Sequence, residues 1–295
     1  MIEEVSLIFM YLLIDAGGTS TKAFLHDGGG IISQYRGPPG SVATVGLERS
    51  VESIEEVIRH YGGRRFDAIA IALAGTDVQE NLRKARTVLR SRLRKYAPKI
   101  NVEHDAHVVL LSNADMGCSA ILGTGSIVYC FDGKRRVIRG DRGWLVGDPC
   151  SGFYFGREYL RAILYQFQGM KRRSCMLLNS GFRNEDELVK FLYENSCNQD
   201  KIAAFSSKLF SCIDKDEQAK YILYKGLNQE WEAIKSALKS SGQNSLYYFG
   251  GLLASATFES SFVDFITKKA REYRIDVKIK KSNEIIDGLL RLLQF

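Results

Sequence analysis

Two short segments of this sequence combine glycine with hydroxyl side chains at the end of an apolar run. The first is Asp15-Ala-Gly-Gly-Thr-Ser-Thr21 and the second is Leu122-Gly-Thr-Gly-Ser126. Glycine lets backbone N–H groups approach a phosphate chain closely, and threonine hydroxyls add further donors. Asp15 adds a carboxylate that can hold a hydrated Mg²⁺ beside such phosphates. Either segment alone could be a simple tight hairpin, whereas the pair favours phosphate binding.

A third polar segment, His104-Asp105, lies between the two glycine-rich ones and follows a predicted strand. Phosphoryl transfer to an alcohol benefits from a carboxylate that accepts the hydroxyl proton, and Asp105 suits that role. Aspartate is also a favoured helix N-cap, and both roles are compatible. His104 and His107 have no evident third partner for a metal ion, so we expect ordinary roles for both.

Gly250-Gly251 follows an apolar strand and precedes a helix. Such a pair can let an adenine ring lie flat on the backbone, although a packing role is an open alternative.

Several other enzyme classes lose support, because the chain has no Gly-x-x-x-x-Gly-Lys-Ser/Thr loop, no protein-kinase signature set and no Gly-x-Ser-x-Gly elbow.

The elements that must position these residues form an α/β pattern. Apolar periodicity predicts that each half of the chain opens with a strand, a Gly-Thr turn, a returning strand, a second turn and a third strand. Further strands are predicted at residues 66–73, 101–103, 246–249 and 275–279. Helices are predicted at residues 47–61, 83–99, 106–113, 153–167, 185–194, 201–210, 215–240, 257–272 and 284–294. The order indicates a weak duplication of one domain.

The charge of the chain favours acidic partners. Among its 295 residues, the formal net charge is +7, and the basic residues concentrate at residues 83–99 and 171–173. The first segment is typical of a solvated helix face, and it lacks the interleaved aromatic residues of a nucleic-acid platform. We therefore expect nucleotide phosphates, and no nucleic acid, as the anionic partner.

The cysteines and the N-terminus both favour a cytoplasmic protein. None of the six cysteines forms a Cys-x-x-Cys pair, so we expect reduced, mostly buried thiols. The apolar run at residues 5–14 follows Glu3 and Glu4, where a signal peptide would be basic, and it is too short to cross a bilayer. No membrane partner is expected.

Taken together, the motifs resemble the actin-like ATPase superfamily of sugar kinases. Within it, the chain looks like the N-acetylglucosamine kinase and archaeal hexokinase group, which is related to the BadF/BadG ATPase family. The resemblance rests on segments in family order: Asp15-Ala-Gly-Gly-Thr-Ser-Thr-Lys22, Leu73-Ala-Gly-Thr-Asp77, His104-Asp-Ala106, Leu122-Gly-Thr-Gly-Ser126, Gly143-Trp-Leu-Val-Gly-Asp148, Ser151-Gly-Phe-Tyr-Phe-Gly-Arg157 and Gly250-Gly251.

The resemblance implies two ribonuclease-H-like domains facing a central cleft, one of residues 1–104 with 281–295 and a larger one of residues 105–280. It implies that the chain uses ATP and Mg²⁺ to phosphorylate a hexose or N-acetylhexosamine, with a homodimer left open. Asp105 would be the general base, and Asp15 would hold Mg²⁺ through water. ATP would contact Gly17, Gly18, Thr19, Lys22, Gly123, Thr124, Gly125, Gly250 and Gly251, and the sugar would contact Ser41, Asp105, Thr124, Gly143 and Asp148.

Three segments depart from the family pattern. Many relatives carry Gly-Asp-Glu-Gly-Ser where this chain has Gly147-Asp-Pro-Cys-Ser151, so a glutamate is lost. The usual Pro-Gly-Asn sugar loop ends in Ser41, and the usual C-terminal Pro-Glu-x-Gly-Ala is absent from residues 283–287. Two alternatives therefore stay open: an ATPase that activates a partner protein, and a non-catalytic sensor of sugar or nucleotide.

Overall fold

The chain divides into two compact units in the computed structural model, which describes residues 9–140, 142–196 and 198–294. One unit runs to Asp115 and takes up the chain again from Ser282, and the other is Met116–Lys281. Residues 5–8 of the predicted opening run, and Cys197, lie outside the described residues.

The first unit contains a five-stranded mixed sheet with the order β3-β2-β1-β4-β5. Strands β1 to β3 are antiparallel, while β4 and β5 run parallel to β1. The strands are β1 (Tyr11–Ala16), β2 (Thr21–His26), β3 (Ile31–Gly37), β4 (Ala68–Leu73) and β5 (Lys99–His104). The helices are α1 (Val42–Val45), α2 (Leu47–His60), α3 (Gln79–Leu93), α4 (Asp105–Leu111) and, from the end of the chain, α12 (Ile285–Leu292).

The second unit repeats this topology with the order β10-β9-β6-β7-β8. Its strands are β6 (Gly117–Leu122), β7 (Ser126–Phe131), β8 (Arg136–Gly140), β9 (Ser245–Phe249) and β10 (Lys278–Lys281). Its α-helices are α5 (Gly152–Phe167), α6 (Cys175–Leu178), α7 (Glu185–Asn195), α8 (Gln199–Ala203), α9 (Phe205–Phe210), α10 (Glu217–Ser241) and α11 (Ala256–Glu272). Short 3₁₀ segments lie at Ile213–Lys215 and Gly251–Ala254. The repeated strand order confirms the predicted duplication and the two-domain α/β class.

Strand β4 and residues 12–14 of the neighbouring β1 are apolar and buried because helices cover both faces of the sheet. Every residue of β4 is buried. In β1, Leu12 and Ile14 pack in a core shared with α2 and α3. Helices α4 and α12 also pack against β4. The sheet edge at which β1, β4 and β5 end therefore rests on a fully packed core.

Helix α4 lies in the first unit, whereas the predicted boundary at residue 104 placed it in the second. The reason is its packing against α12, which the sequence pattern does not show. A Cβ added at Gly288 would lie 2.0 Å from the carbonyl oxygen of Val108, so the two helices approach backbone to backbone. The Gly288 N–H also donates to Ser112 Oγ at 3.1 Å.

Three predicted elements differ in the structure. The predicted helix at residues 83–99 is α3, which begins at Gln79 and ends at Leu93, and Lys99 already belongs to β5. The predicted helix at residues 201–210 is two helices, α8 and α9, which meet at Ala204, and both pack on α5. The last strand covers residues 278–281, where Lys278 pairs with Ser245 and Lys281 with Tyr248, so it begins later than predicted.

The expectation of reduced thiols is wrong for four cysteines. Cys118 and Cys130 form a disulfide, and so do Cys175 and Cys212, while Cys150 is free and buried. Cys118 and Cys130 are direct partners in the β6–β7 register. That proximity depends on strand pairing and has no signature in cysteine spacing.

Gly288→Ala should test the α4–α12 contact. The added methyl would collide with the Val108 carbonyl, which is main chain and cannot rotate away. We expect the free energy of unfolding of the full chain to fall by about 1–3 kcal/mol in urea titration. Gly30→Ala is the matched control, because its Cβ would meet nothing within 4 Å. Equal stabilities for the two variants would contradict the close packing.

Candidate functional site

The first glycine-rich turn joins β1 to β2 and is tied down by a second loop. The Gly17 carbonyl accepts N–H groups of Gly40 at 3.0 Å and Ser41 at 3.1 Å, and the Gly17 N–H donates to the Ser20 carbonyl at 3.1 Å. Gly18 is exposed between these anchors. The backbone of the turn is therefore held in place by these hydrogen bonds, and Gly18 is exposed to solvent.

Ser41 is buried beneath that turn. It is only 4% exposed, and a Cβ on Gly75 would come within 2.7 Å of its hydroxyl. Gly75 has φ of +74°, a conformation that favours glycine. The structure thus gives Ser41 a packing role between the segments that follow β1 and β4.

Asp15 lies at the end of β1, and its side chain is about 20% exposed. Burial raises the pKa of its carboxyl, Lys22 at 3.9 Å lowers it, and the Asp105 carboxylate raises it, so that the resulting pKa is about 6. Asp15 and Asp105 therefore influence each other within the first unit. A divalent cation beside them would relieve this repulsion and favour ionised Asp15.

His104 is buried between two aspartates. Its Nε2 lies 2.8 Å from Asp77 Oδ1, and its Nδ1 lies 3.0 Å from Asp105 Oδ1. Burial alone would lower its pKa, but hydrogen bonds that it donates to the Asp105 and Asp77 carboxylates raise it to about 10. His104 is therefore an imidazolium at neutral pH and donates to both carboxylates.

Asp105 is oriented by two donors on the same oxygen. Besides His104, the Ala106 N–H donates to Asp105 Oδ1 at 2.8 Å. Its side chain is 27% exposed, and among residues 9–140, 142–196 and 198–294 nothing hydrogen-bonds to its Oδ2. One oxygen is thus anchored, and the other can accept a proton from a bound hydroxyl.

The second glycine-rich turn joins β6 to β7. Its carbonyls at Gly123 and Thr124 accept the N–H groups of Gly152 at 2.7 Å and Phe153 at 3.1 Å, which begin α5. The Thr124 hydroxyl donates to Asp200 Oδ1 at 3.0 Å. The turn therefore carries an acidic neighbour from α8 that the sequence reading missed.

Gly250 lies beside this turn because β9 is parallel to β6. It has φ of +128°, and an added Cβ would lie 2.3 Å from the Leu122 carbonyl oxygen. Only glycine fits this close approach. Gly251 has nothing within 4 Å of its Cβ direction, so it presents open backbone.

Asp148 lies against the same turn within the second unit. A Cβ on Gly125 would come within 2.9 Å of Asp148 Oδ2, and Asp148 is 7% exposed. Asp148 and Cys150 have φ of 53° and 65°, so the loop is held in an unusual backbone conformation. Gly143 belongs to the preceding turn, where its carbonyl accepts the Gly147 N–H at 2.8 Å.

Glu230 of α10 is a buried acid that sequence reasoning missed. It is 1% exposed, and its Oε1 has no hydrogen-bond partner in the described part of the chain. Burial, with a smaller contribution from the Asp148 carboxylate, raises its pKa to about 8. The motif glutamate is absent at Pro149, yet a second carboxyl group still influences Asp148 from another element. The one sequence signal for the burial of Glu230 is its position on α10, directly before the large apolar residue Trp231.

The predicted residues thus form two groups, one in each unit. Asp15, Gly17, Gly18, Thr19, Lys22, Ser41 and Asp105 belong to the first, and Gly123, Thr124, Gly125, Gly143, Asp148, Gly250 and Gly251 to the second. Within the described ranges, no three His, Cys, Asp or Glu side chains could together hold a metal ion. In the same ranges, no helix is long and apolar enough to span a membrane.

Known proteins resemble the chain along its length. The BadF/BadG/BcrA/BcrD ATPase family is matched over residues 13–288. A proposed N-acetylglucosamine kinase of Chromobacterium violaceum is 18% identical, with 97% of this chain and 99% of that chain covered and a TM-score of 0.75. A proposed N-acetylglucosamine kinase of Porphyromonas gingivalis is 17% identical, with 96% of this chain and 98% of that chain covered and a TM-score of 0.72.

A third solved structure is more distant. The glucokinase of Streptomyces griseus, in complex with glucose and AMPPNP, is 14% identical, with 97% and 98% of the two chains covered and a TM-score of 0.54. No curated protein matches the sequence. These likenesses establish the actin-like ATPase fold.

Glu230→Gln should change how stability depends on pH. Because the folded-state pKa is raised, unfolded Glu230 ionises from about pH 4.5 while folded Glu230 keeps its proton to about pH 8. The wild type should therefore lose stability, on the order of a few kcal/mol, as pH rises across that range. The variant should lack this loss in urea titrations at pH 5 and pH 8. Parallel curves for the two proteins would contradict a protonated Glu230.

Proposed function

The chain belongs to the BadF/BadG/BcrA/BcrD ATPase family, and from this premise we propose that it phosphorylates a hydroxyl of a hexose or N-acetylhexosamine with ATP. The observation that carries the proposal is Asp105, whose Oδ1 is anchored by His104 and Ala106 while Oδ2 has no partner in the described residues. Kinases need such a base at the acceptor hydroxyl. The sugar class comes from the solved structures of similar fold.

The other residues take roles that their surroundings permit. Asp15 would hold Mg²⁺ through water, since its carboxylate is partly exposed and its raised pKa would fall beside a cation. The Gly17-Gly18-Thr19 turn with Lys22, and the Gly123-Thr124-Gly125 turn, would bind phosphates. Gly250 and Gly251 would line the adenosine.

The sugar-side residues are Ser41, Asp105, Thr124, Gly143 and Asp148. Ser41 acts here by shaping its loop, because its side chain is buried. Asp148 would contact sugar hydroxyls, and the cytoplasm would supply both substrates. The two disulfides of the chain are compatible with a cytoplasmic location in organisms whose intracellular proteins are disulfide-rich.

A second candidate is an ATPase that activates a partner protein. It is favoured by the ATPase family match and by the loss of the motif glutamate at Pro149. The two candidates differ in what stimulates ATP turnover. Sugar stimulates it in a kinase, whereas a partner-driving ATPase hydrolyses ATP without sugar.

An ADP-release assay over a panel of hexoses and N-acetylhexosamines separates these functions. We expect at least one sugar to raise ADP production well above the sugar-free rate and to yield a sugar phosphate by mass spectrometry. Sugar-independent hydrolysis would favour the partner-driving ATPase. ATP or sugar binding by calorimetry without any turnover would favour a sensor.

Asp105→Asn should remove the base while keeping the shape of the side chain. We expect kcat to fall ~10²–10⁴-fold with the preferred sugar, as is typical when a general base is lost. Asp276→Asn, an exposed aspartate of the second unit, is the control and should leave kcat unchanged. Circular dichroism confirms folding. Near-wild-type turnover in Asp105→Asn would remove Asp105 from the mechanism.

A further inference from the structure

The second unit contains a cavity of about 940 Å³ that includes none of the predicted site residues. Its walls come from α5, the segment after it, the 3₁₀ turn Ile213–Lys215 and the start of α10. The basic segment at residues 171–173, which the proposed function does not use, forms part of the wall. The volume lies in the range of small-molecule sites.

Five cations that line this cavity make no ion pair with any residue in the described ranges. They are Lys171, Arg172, Arg173, Lys215 and Lys225. By contrast, the cations of α3 are largely engaged: Arg86 pairs with Glu103 at 2.5 Å, and Arg92 with Glu55 at 2.8 Å. The cavity therefore concentrates positive charge that the protein itself does not neutralise.

The acids at the cavity wall are occupied elsewhere. Glu158 pairs with Arg157 and Arg161, and Glu217 pairs with Lys220 at 2.8 Å. Asp216 caps α10 by accepting from the Gln218 N–H at 2.9 Å. None of these carboxylates balances the five cations, so an anion from outside is the complementary ligand.

The frame of the cavity is held in place. Ser174 donates its N–H to Gln166 Oε1 at 2.9 Å and its hydroxyl to Asp216 Oδ2. The Cys175–Cys212 disulfide joins the segment that follows Arg173 to the turn that carries Lys215. Cations on a fixed frame lose less entropy on binding an anion than cations on a free loop.

From this placement we infer that the cavity binds a small molecule bearing one or more phosphate groups. Several cations on a fixed frame suit the multiple charges of phosphate. Tyr165 and Tyr221 also line the cavity and offer flat, amphipathic walls for a ring or sugar body. A concave site of limited volume suits a metabolite better than a nucleic-acid strand, which needs a long groove.

The test is calorimetric titration of the full chain with inorganic pyrophosphate, with and without AMPPNP to occupy a nucleotide site. Substituting alanine for Lys171, Arg172 and Arg173 together should weaken pyrophosphate binding at least ~10-fold. The control removes the same charge from α3 and its C-cap residue by substituting alanine for Arg83, Lys84 and Arg94, and should keep the affinity within about twofold.

Equal pyrophosphate affinity in the wild type and the cavity variant would overturn the inference. So would a single-stranded oligonucleotide that binds through residues 171–173 while pyrophosphate does not, since the surface would then serve a macromolecule. If the triple variant fails to fold, hydrogen exchange of the wild type decides. Pyrophosphate should then protect residues 168–175 and 215–225, and protection confined to other segments would contradict the site.

Discussion

The parallel alignment of β1, β4 and β5 is the constraint on which the first unit depends. Parallel strands end at the same edge of a sheet, and here Ala16 pairs with Leu73, which pairs with His104. This register brings Asp15, the loop after β4 and His104-Asp105 to one edge, although 90 residues of sequence separate the two ends of the set. The chemistry of the site follows from an arrangement that apolar core packing maintains.

Charge at this edge is balanced by a residue that the sequence reading treated as ordinary. A buried imidazolium is costly unless carboxylates compensate it, and His104 has two, Asp77 and Asp105. The same contacts keep one Asp105 oxygen in place. His104 therefore orients the base, while the raised pKa of Asp15 reflects burial and the nearby Asp105 charge.

The sequence was most informative where local patterns and packing agree. The predicted strands at residues 66–73 and 246–249 agree with β4 and β9 within about two residues at each end, because apolar runs that lead into glycine have few alternatives. What the sequence could not show were contacts between distant segments. The Gly288 approach to Val108, the Cys118–Cys130 bond and the burial of Glu230 beneath the Asp148 loop all depend on how elements pack.

The two basic segments show that the sequence also does not reveal which charged residues pair with each other in the fold. By composition the two segments look alike, and a solvated face was the natural interpretation of the first. On α3, Arg86 and Arg92 pair with acids 17 and 37 residues away, so tertiary structure neutralises part of that segment. Lys171–Arg173 finds no such acid in the described residues, and its acidic neighbours already serve other partners. Part of the positive charge of the chain is therefore uncompensated at a concave surface that can bind an anion.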